Sequence, residues 1–169
     1  MLIAKNFKII SSKENLGYAK ANNLALKETK GEYVLLLNND VYLEKNTIGN
    51  LVKFLDENKN IGICQPKIIQ QYNKSKIDSC GSYWTDSTLL YHYANGINPL
   101  DSKVLKSKKI FSAMGACLMF KRSVLENNYL FDDKFWCYFE ETDFCIRAQL
   151  LGWEVWYCSD AICHHIGSV

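Results

Sequence analysis

Three short stretches carry side chains that can do chemistry: Asn38-Asn39-Asp40, Glu140-Glu141-Thr142-Asp143 and His164-His165. A carboxylate can take a proton from a hydroxyl or hold a hard divalent cation, and an imidazole can do either. Each stretch also has a plain structural reading. Asn and Asp favour turns for backbone reasons. Acids in a first helical turn balance the helix dipole. Paired histidines near the end of a sequence can be polar surface. Cys158, Cys163, His164 and His165 hold the donor types of a zinc site, but their spacing matches no common finger.

The elements around these residues sharpen the choice. Tyr33 to Leu37 is an apolar run of strand length, the pattern of a strand buried on both faces in a parallel sheet. Asn38-Asn39-Asp40 follows without a break, and open α/β sheets bind ligands at the carboxyl ends of their strands. Before it, Phe7 to Ile10 reads as a short strand and Tyr18 to Thr29 as a helix that stops at Gly31. Asn46-Thr47 can cap a helix in which Ile48, Leu51, Val52 and Leu55 share a face. Ile61 to Ile69 reads as a strand at or near a sheet edge, because Pro66 lacks a ladder donor.

Residues 70–109 read as a short hairpin plus a mobile loop. Ile110 to Phe120 reads as a further strand and Ser123 as the start of a short helix. Glu140 to Leu151 is predicted to be a helix, with Asp143 and Arg147 as an i, i+4 pair and Gly152 as its stop. Trp153 to Tyr157 is predicted to be the last strand, with a tail beyond it. The expectation is one domain of mixed α/β type spanning residues 1–169.

The composition excludes several classes. Hydrophobic residues make up 48% and charged residues 22% of 169, ordinary for a globular domain. A net charge of +2 gives no footprint for nucleic acid, and Lys103, Lys106, Lys108 and Lys109 read as a solvated cluster. No apolar run reaches the roughly 20 residues of a membrane span, which leaves at most peripheral membrane association. The seven cysteines are odd in number and contain no Cys-x-x-Cys, which points to reduced thiols and a cytoplasmic protein.

Five segments in order resemble the family 2 glycosyltransferases, especially rhamnosyltransferase-like members. They are Asn15-Leu-Gly-Tyr-Ala-Lys-Ala-Asn-Asn23, Gly31-Glu-Tyr-Val-Leu-Leu-Leu-Asn-Asn-Asp40, Gly115-Ala-Cys-Leu-Met-Phe-Lys-Arg122, the block from Phe131 to Arg147, and Ala161-Ile-Cys-His-His-Ile-Gly-Ser168. The resemblance covers nearly the whole chain and is weakest over 82–109. It implies a GT-A fold: a Rossmann-like, mostly parallel sheet flanked by helices, binding a nucleotide-sugar donor and a divalent metal, Mg2+ or Mn2+. The implied metal ligands are Asp40 and a late histidine, with His165 matching better than His164. The implied base is Glu141, with Glu140 and Asp143 beside it. Implied substrate contacts fall on Asn15, Gly17, Asn22, Asn23, Asn38, Asn39, Gly115 and Ala116.

The implied reaction is metal-dependent, inverting sugar transfer to a saccharide or lipid-linked acceptor in cell-surface polysaccharide synthesis. The chemistry needs the same groups. A departing nucleoside diphosphate needs its charge neutralised, and an acceptor hydroxyl must lose its proton as it attacks. Two departures stand out. The family's base is usually the Asp of Glu-Asp, where this chain has Glu141. Family members also begin with a strand, a helix and a second strand that hold the nucleotide base and ribose, and this sequence starts at the equivalent of the third strand. An N-terminally truncated enzyme is therefore expected. It would self-associate or pair with a subunit that supplies the missing strands, and bind donor weakly alone. The alternative is a non-catalytic remnant that pairs with another chain. A nucleotidyltransferase-like enzyme is a third reading, but its glycine-rich N-terminal loop is absent.

Overall fold

Tyr33–Leu37 forms the expected strand, and the apolar run buries Val34 and Leu36 on one face while Leu35 packs on the other. The computed structural model describes residues 7–87 and 89–167. The elements in order are α1 (Gly17–Leu26), β1 (Tyr33–Leu37), β2 (Val41–Leu43), α2 (Thr47–Glu57), β3 (Ile61–Gln70), β4 (Ile77–Ser79), β5 (Ser82–Trp84), β6 (Leu90–His92), β7 (Lys108–Lys109), β8 (Cys117–Lys121), α3 (Glu140–Leu150) and β9 (Glu154–His165). Short 3-10 turns occupy Ser102–Val104 and Arg122–Leu125.

The main sheet runs β1-β8-β3-β9-β2, with β4 added to β3 and β7 to β9; β5 and β6 form a separate hairpin. The core strands β1, β3 and β9 point the same way, as a Rossmann-like core requires, and β8 runs against them between β1 and β3. The pairing is thus more mixed than a mostly parallel sheet: β3–β9 is the parallel pair among the described ladders, and the others are antiparallel.

Both faces of this sheet are covered, which explains the near-continuous apolar runs. Leu51 and Leu55 of α2 sit on one face against Ile61, Cys64, Met119 and Cys158. Each contributes about 2–3 kcal/mol by its burial. On the other face α1 and α3 pack through Ala19, Phe144 and Ala148 onto Val34, Leu36, Ile63, Leu118 and Phe120. Phe144 meets Phe120 and Phe131 edge-on, with centroids 5.2 and 6.1 Å apart, which fixes α3 over the sheet.

Several sequence expectations change. Residues 7–10 form no strand and are exposed; α1 begins soon after them and no ladder reaches them. Ile48, assigned to the apolar face of α2, is 50% exposed. Pro66 does not put β3 at an edge: β3 is central. Pro66 lies between the residues that pair with β8 and those that pair with β4, and at the register break with β9. The missing N–H is therefore tolerated inside the sheet.

Residues 110–116 form no strand, since β8 starts at Cys117. Residues 93–109 are packed rather than loose: Val104 is fully buried and its carbonyl accepts from Tyr157 Oη at 2.7 Å. Lys108 lies over the rings of Tyr83 and Tyr93, and Lys109 pairs with Glu154 at 3.1 Å. The supposed tail is strand: β9 runs unbroken from Glu154 to His165.

Candidate active site

β1 ends at Leu37, and the turn Asn38–Asp40 leads directly into β2. Asn38 is tied to the sheet by its N–H, which donates to the Ala116 carbonyl at 3.0 Å. β2 then pairs antiparallel with β9 in the register Val41↔His165, and Ile166 N–H donates to the Asp40 carbonyl at 3.0 Å. This ladder brings Asp40 Oδ2 to 3.3 Å from His165 Nε2. The other ring nitrogen, Nδ1, is 2.7 Å from Asp78 Oδ2, on β4. His165 is 8% exposed. The hydrogen bond to Asp78, then the Asp40 charge, raises its pKa against the opposing effect of burial. Asp40 Oδ1 is buried and has no hydrogen-bond partner among the described residues.

Across the cavity is the start of α3. Tyr138 and Phe139, immediately before it, both adopt left-handed backbone, with φ of 74° and 68°. Neither is glycine, so the turn costs energy that the packing around it must offset. It delivers Glu140 and Glu141 into the first helical turn, where the dipole favours carboxylates. Glu140 is 3% exposed, with Oε2 unpartnered. Burial, opposed by backbone hydrogen bonding and reinforced by Glu140, raises the pKa of Glu141 to about 7. Burial also raises that of Glu140.

Tyr18, on α1, closes the floor. Its hydroxyl donates to the Gly115 carbonyl at 2.6 Å, and its N–H donates to the Trp136 carbonyl at 2.8 Å. Burial, followed by the charges of Glu140 and Glu141, holds the phenol well above its usual pKa. These residues line one cavity of about 320 Å³ together with Asn38, Ala116, Met114, His92, Cys137 and Tyr138. A second cavity of about 480 Å³ shares His92, Met114, Tyr138 and His165 as its wall and adds Gln70, Tyr72, Asp78, Ile166 and Gly167.

The structure therefore gathers Asp40, His165, Glu140, Glu141, Asn38, Gly115 and Ala116 around one space. The other candidates lie elsewhere. Asp143 is ion-paired with Arg147 at 2.8 Å, and Arg147 also holds the Tyr129 and Leu130 carbonyls. Asn15 accepts from Gly17 N–H at 3.0 Å at the start of α1, and both line a separate groove beside residues 8–25. Asn22 donates to the Tyr18 carbonyl within α1. Asn23 braces the loop before α3 through the Phe131 N–H and carbonyl and Asp133. Asn39 is exposed in the turn. His164 pairs with Glu44 at 3.0 Å.

Sequence reading missed Tyr18, Asp78, His92, Met114 and Gln65. Tyr18 lies within the first resembling segment, and its position offered a signal. Gln65 is fully buried and accepts from Met114 N–H at 2.7 Å; a polar residue inside the run Ile61–Ile69 was the signal for it. Asp78 and His92 fall in the stretch with the weakest pattern and carried none.

A metal fits this set. Among the described residues no lysine or arginine lines the cavity, whereas Asp40, Glu140 and Glu141 do, so a diphosphate would meet mostly like charge without a cation. The unpartnered Asp40 Oδ1 and the imidazole of His165 are donors suited to Mn2+ or Mg2+. Among the described residues no group of three or more acidic, His or Cys side chains is placed to hold a metal by itself.

Comparison with known proteins gives the family and the fold. The profile of glycosyl transferase family 2 matches residues 3–128. The chain is 32% identical over 145 residues to the low-salt glycan biosynthesis hexosyltransferase Agl10 of Haloferax volcanii, covering 83% of this chain and 45% of that protein. It thus spans less than half the length of that relative. Its fold is similar to GalNAc-T7 with UDP, GalNAc and Mn2+, at TM-score 0.72 and 14% identity over 94% of this chain and 32% of that one. It is also similar to the mannosyltransferase PcManGT of Pyrobaculum calidifontis in complex with GDP-Man and Mn2+, at 0.61 and 18% over 94% and 39%. The S. aureus protein TarS in complex with UDP-GlcNAc matches at 0.57 and 19% over 92% and 41%. With a profile match over most of its length and a curated relative sharing about a third of the aligned residues, this GT-A-folded chain belongs to glycosyl transferase family 2.

Proposed function

We propose that this chain carries the transfer centre of an inverting, metal-dependent glycosyltransferase. Its donor would be a sugar linked to a nucleoside diphosphate, and its acceptor hydroxyl would belong to a saccharide or a lipid-linked saccharide. The observation that carries the reading is the meeting of Asp40–His165 and Glu141 on one cavity from three distant parts of the chain. When bound, a divalent cation would neutralise charge on the leaving diphosphate, and Asp40 and His165 are the residues to hold it.

The remaining roles belong to the protein. Glu141, deprotonated above about pH 7, accepts the proton of the acceptor hydroxyl while that oxygen bonds to the anomeric carbon. The bond from that carbon to the diphosphate oxygen breaks, and the nucleoside diphosphate leaves with the electron pair. Glu140 shares the desolvated helix start and helps keep the Glu141 pKa near neutrality. Tyr18 holds the Gly115 carbonyl, so the cavity floor is fixed beside the base. Tyr72 and Tyr138, 73% and 76% exposed, flank the adjoining cavity and offer apolar ring faces to an acceptor pyranose.

The structural relatives were solved with UDP, GDP-Man and UDP-GlcNAc, which supports a nucleotide-sugar donor without selecting one. The test is transfer from uridine, guanosine and deoxythymidine diphosphate-sugars to saccharide acceptors with Mn2+ or Mg2+, by wild type and Glu141→Gln. Activity confined to the wild type supports the reading, and no turnover with any donor in the full-length protein overturns it.

A separate observation bears on assembly. Among the described residues β1 pairs only with β8, so its other edge is open to a further strand, from elsewhere in the polypeptide or from a partner.

A further inference from the structure

The carboxylate of Asp78 reaches His165 by an unusual backbone route. β4 and β9 flank β3 on opposite sides. The β3–β4 register steps from Ile68↔Ser79 to Ile69↔Ile77. Asp78 is therefore the extra residue of a β-bulge, and bulges re-aim a side chain at the expense of a ladder contact. Its neighbours hold the bulge in place. Asn95 Nδ2 donates to the Asp78 carbonyl at 2.9 Å, Ile77 N–H donates to Ile97 at 2.8 Å, and Gly96 N–H donates to Ile77 at 2.8 Å. On the far side His165 is the register partner of Gln70, and Gln71 N–H donates to its carbonyl at 2.8 Å.

Asp78 Oδ2 lies 2.7 Å from His165 Nδ1. Asp40 Oδ2 lies 3.3 Å from the other ring nitrogen, Nε2. Carboxylates only accept, so the ring is held edge-on between the two; a cation bound by Asp40 and Nε2 would replace the Nε2 proton, while Nδ1–H would stay on Asp78. Asp78 does not line the cavity that holds Asp40 and Glu141, and belongs to the adjoining one.

We propose that Asp78 is a positioning residue: its bulged carboxylate fixes the ring orientation and tautomer of His165 so that Nε2 and Asp40 present a preformed pair of donors to the divalent cation. This rests on the metal reading above. Carboxylates bonded to the remote nitrogen of a metal-binding histidine commonly change metal affinity by about 10–100-fold when removed.

The test uses the full-length protein with MnCl2, alone and with UDP or GDP. Affinity is read from the free-Mn2+ paramagnetic signal, and imidazole ligation from the nitrogen modulation of bound Mn2+ in pulsed paramagnetic resonance. In the wild type, nitrogen modulation is expected. Asp78→Ala should bind Mn2+ about 10–100-fold more weakly and lose that modulation. Asp78→Asn, whose amide oxygen still accepts from Nδ1–H, should recover part of both. Circular dichroism melting confirms that each variant is folded, and the Asn variant carries the test if the Ala variant is not. Wild-type affinity and undiminished modulation in the folded Asp78→Ala protein would overturn the role of Asp78 while leaving the metal site standing. Absence of nitrogen modulation in the wild type would remove the metal role of His165, and this inference with it.

Discussion

Val41 and His165 face one another as a backbone pair between β2 and β9. That single register position places Asp40, one residue before Val41, within 3.3 Å of the His165 ring. The two candidate metal ligands are thus fixed by a strand ladder rather than by a flexible loop, the arrangement that holds a site most tightly.

Asp40→Asn should bind Mn2+ more weakly than wild type, because a neutral amide replaces an anionic oxygen ligand. Treatment with a chelator should stop transfer, and added Mn2+ or Mg2+ should restore it in the wild type. Retention of full activity after exhaustive chelation would remove the metal from the proposed function.

Glu141→Gln should abolish most turnover while sparing nucleotide binding, since the amide cannot accept the acceptor's proton. Glu141→Asp should keep activity, and raise it if the shorter side chain restores the placement usual in the family. The wild-type rate should climb as pH rises through about 7, where the half-buried Glu141 becomes deprotonated. Turnover unchanged by Glu141→Gln would move the base elsewhere.

The same shift predicts a stability profile that needs no substrate. The folded protein keeps the Glu141 proton up to about pH 7, whereas the ordinary value is 4.5. The contribution is fully present below that ordinary value and is lost as pH rises between the two. Glu141→Gln should therefore flatten the fall in melting temperature across that window and melt higher than wild type at pH 8. Parallel melting curves for the two proteins from pH 5 to 8 would contradict the burial of this carboxyl.

Gln65→Leu should destabilise the protein by about 1–3 kcal/mol, because it leaves the Met114 N–H without its acceptor in a buried setting. Met114 lines both cavities, so activity should fall as well. Urea unfolding measures the first effect and transfer assays the second.

Gly17→Ala should cost on the order of 1–3 kcal/mol. Gly17 has φ of +70°, and an added Cβ would sit 2.6 Å from the Trp136 carbonyl that anchors Tyr18. Loosening of the loop before α3 should follow, read as increased proteolysis within 131–139.

Light scattering tests the open β1 edge. Self-association of the 169-residue chain is expected, and a clean monomer of it that binds a nucleotide-sugar at micromolar affinity would count against it.

Local pattern was enough for much of this protein. The apolar run Tyr33–Leu37, the acidic helix start Glu140–Glu141 and the ordered set of motifs each declare themselves within a few residues. Burial on both faces and helix polarity act on neighbouring side chains, so α1, β1, α2 and α3 were legible from local sequence alone. Pairing was not. The central place of β3 despite Pro66, the strand nature of Asp160–His165 and the antiparallel β8 depend on which strands meet, a choice set by the whole sheet. The same holds at the site. The resemblance implied site roles for Asn22, Asn23 and Asp143, whereas in the fold they bond the Tyr18 carbonyl, the Phe131 loop and Arg147. Asp78 had no local signal, because its chemistry arises from a bulge in one strand and a histidine two strands away. Residue type determined which groups could hold a proton or a cation; only the fold decided which of them share a cavity, because distance across a sheet is invisible to spacing along the chain.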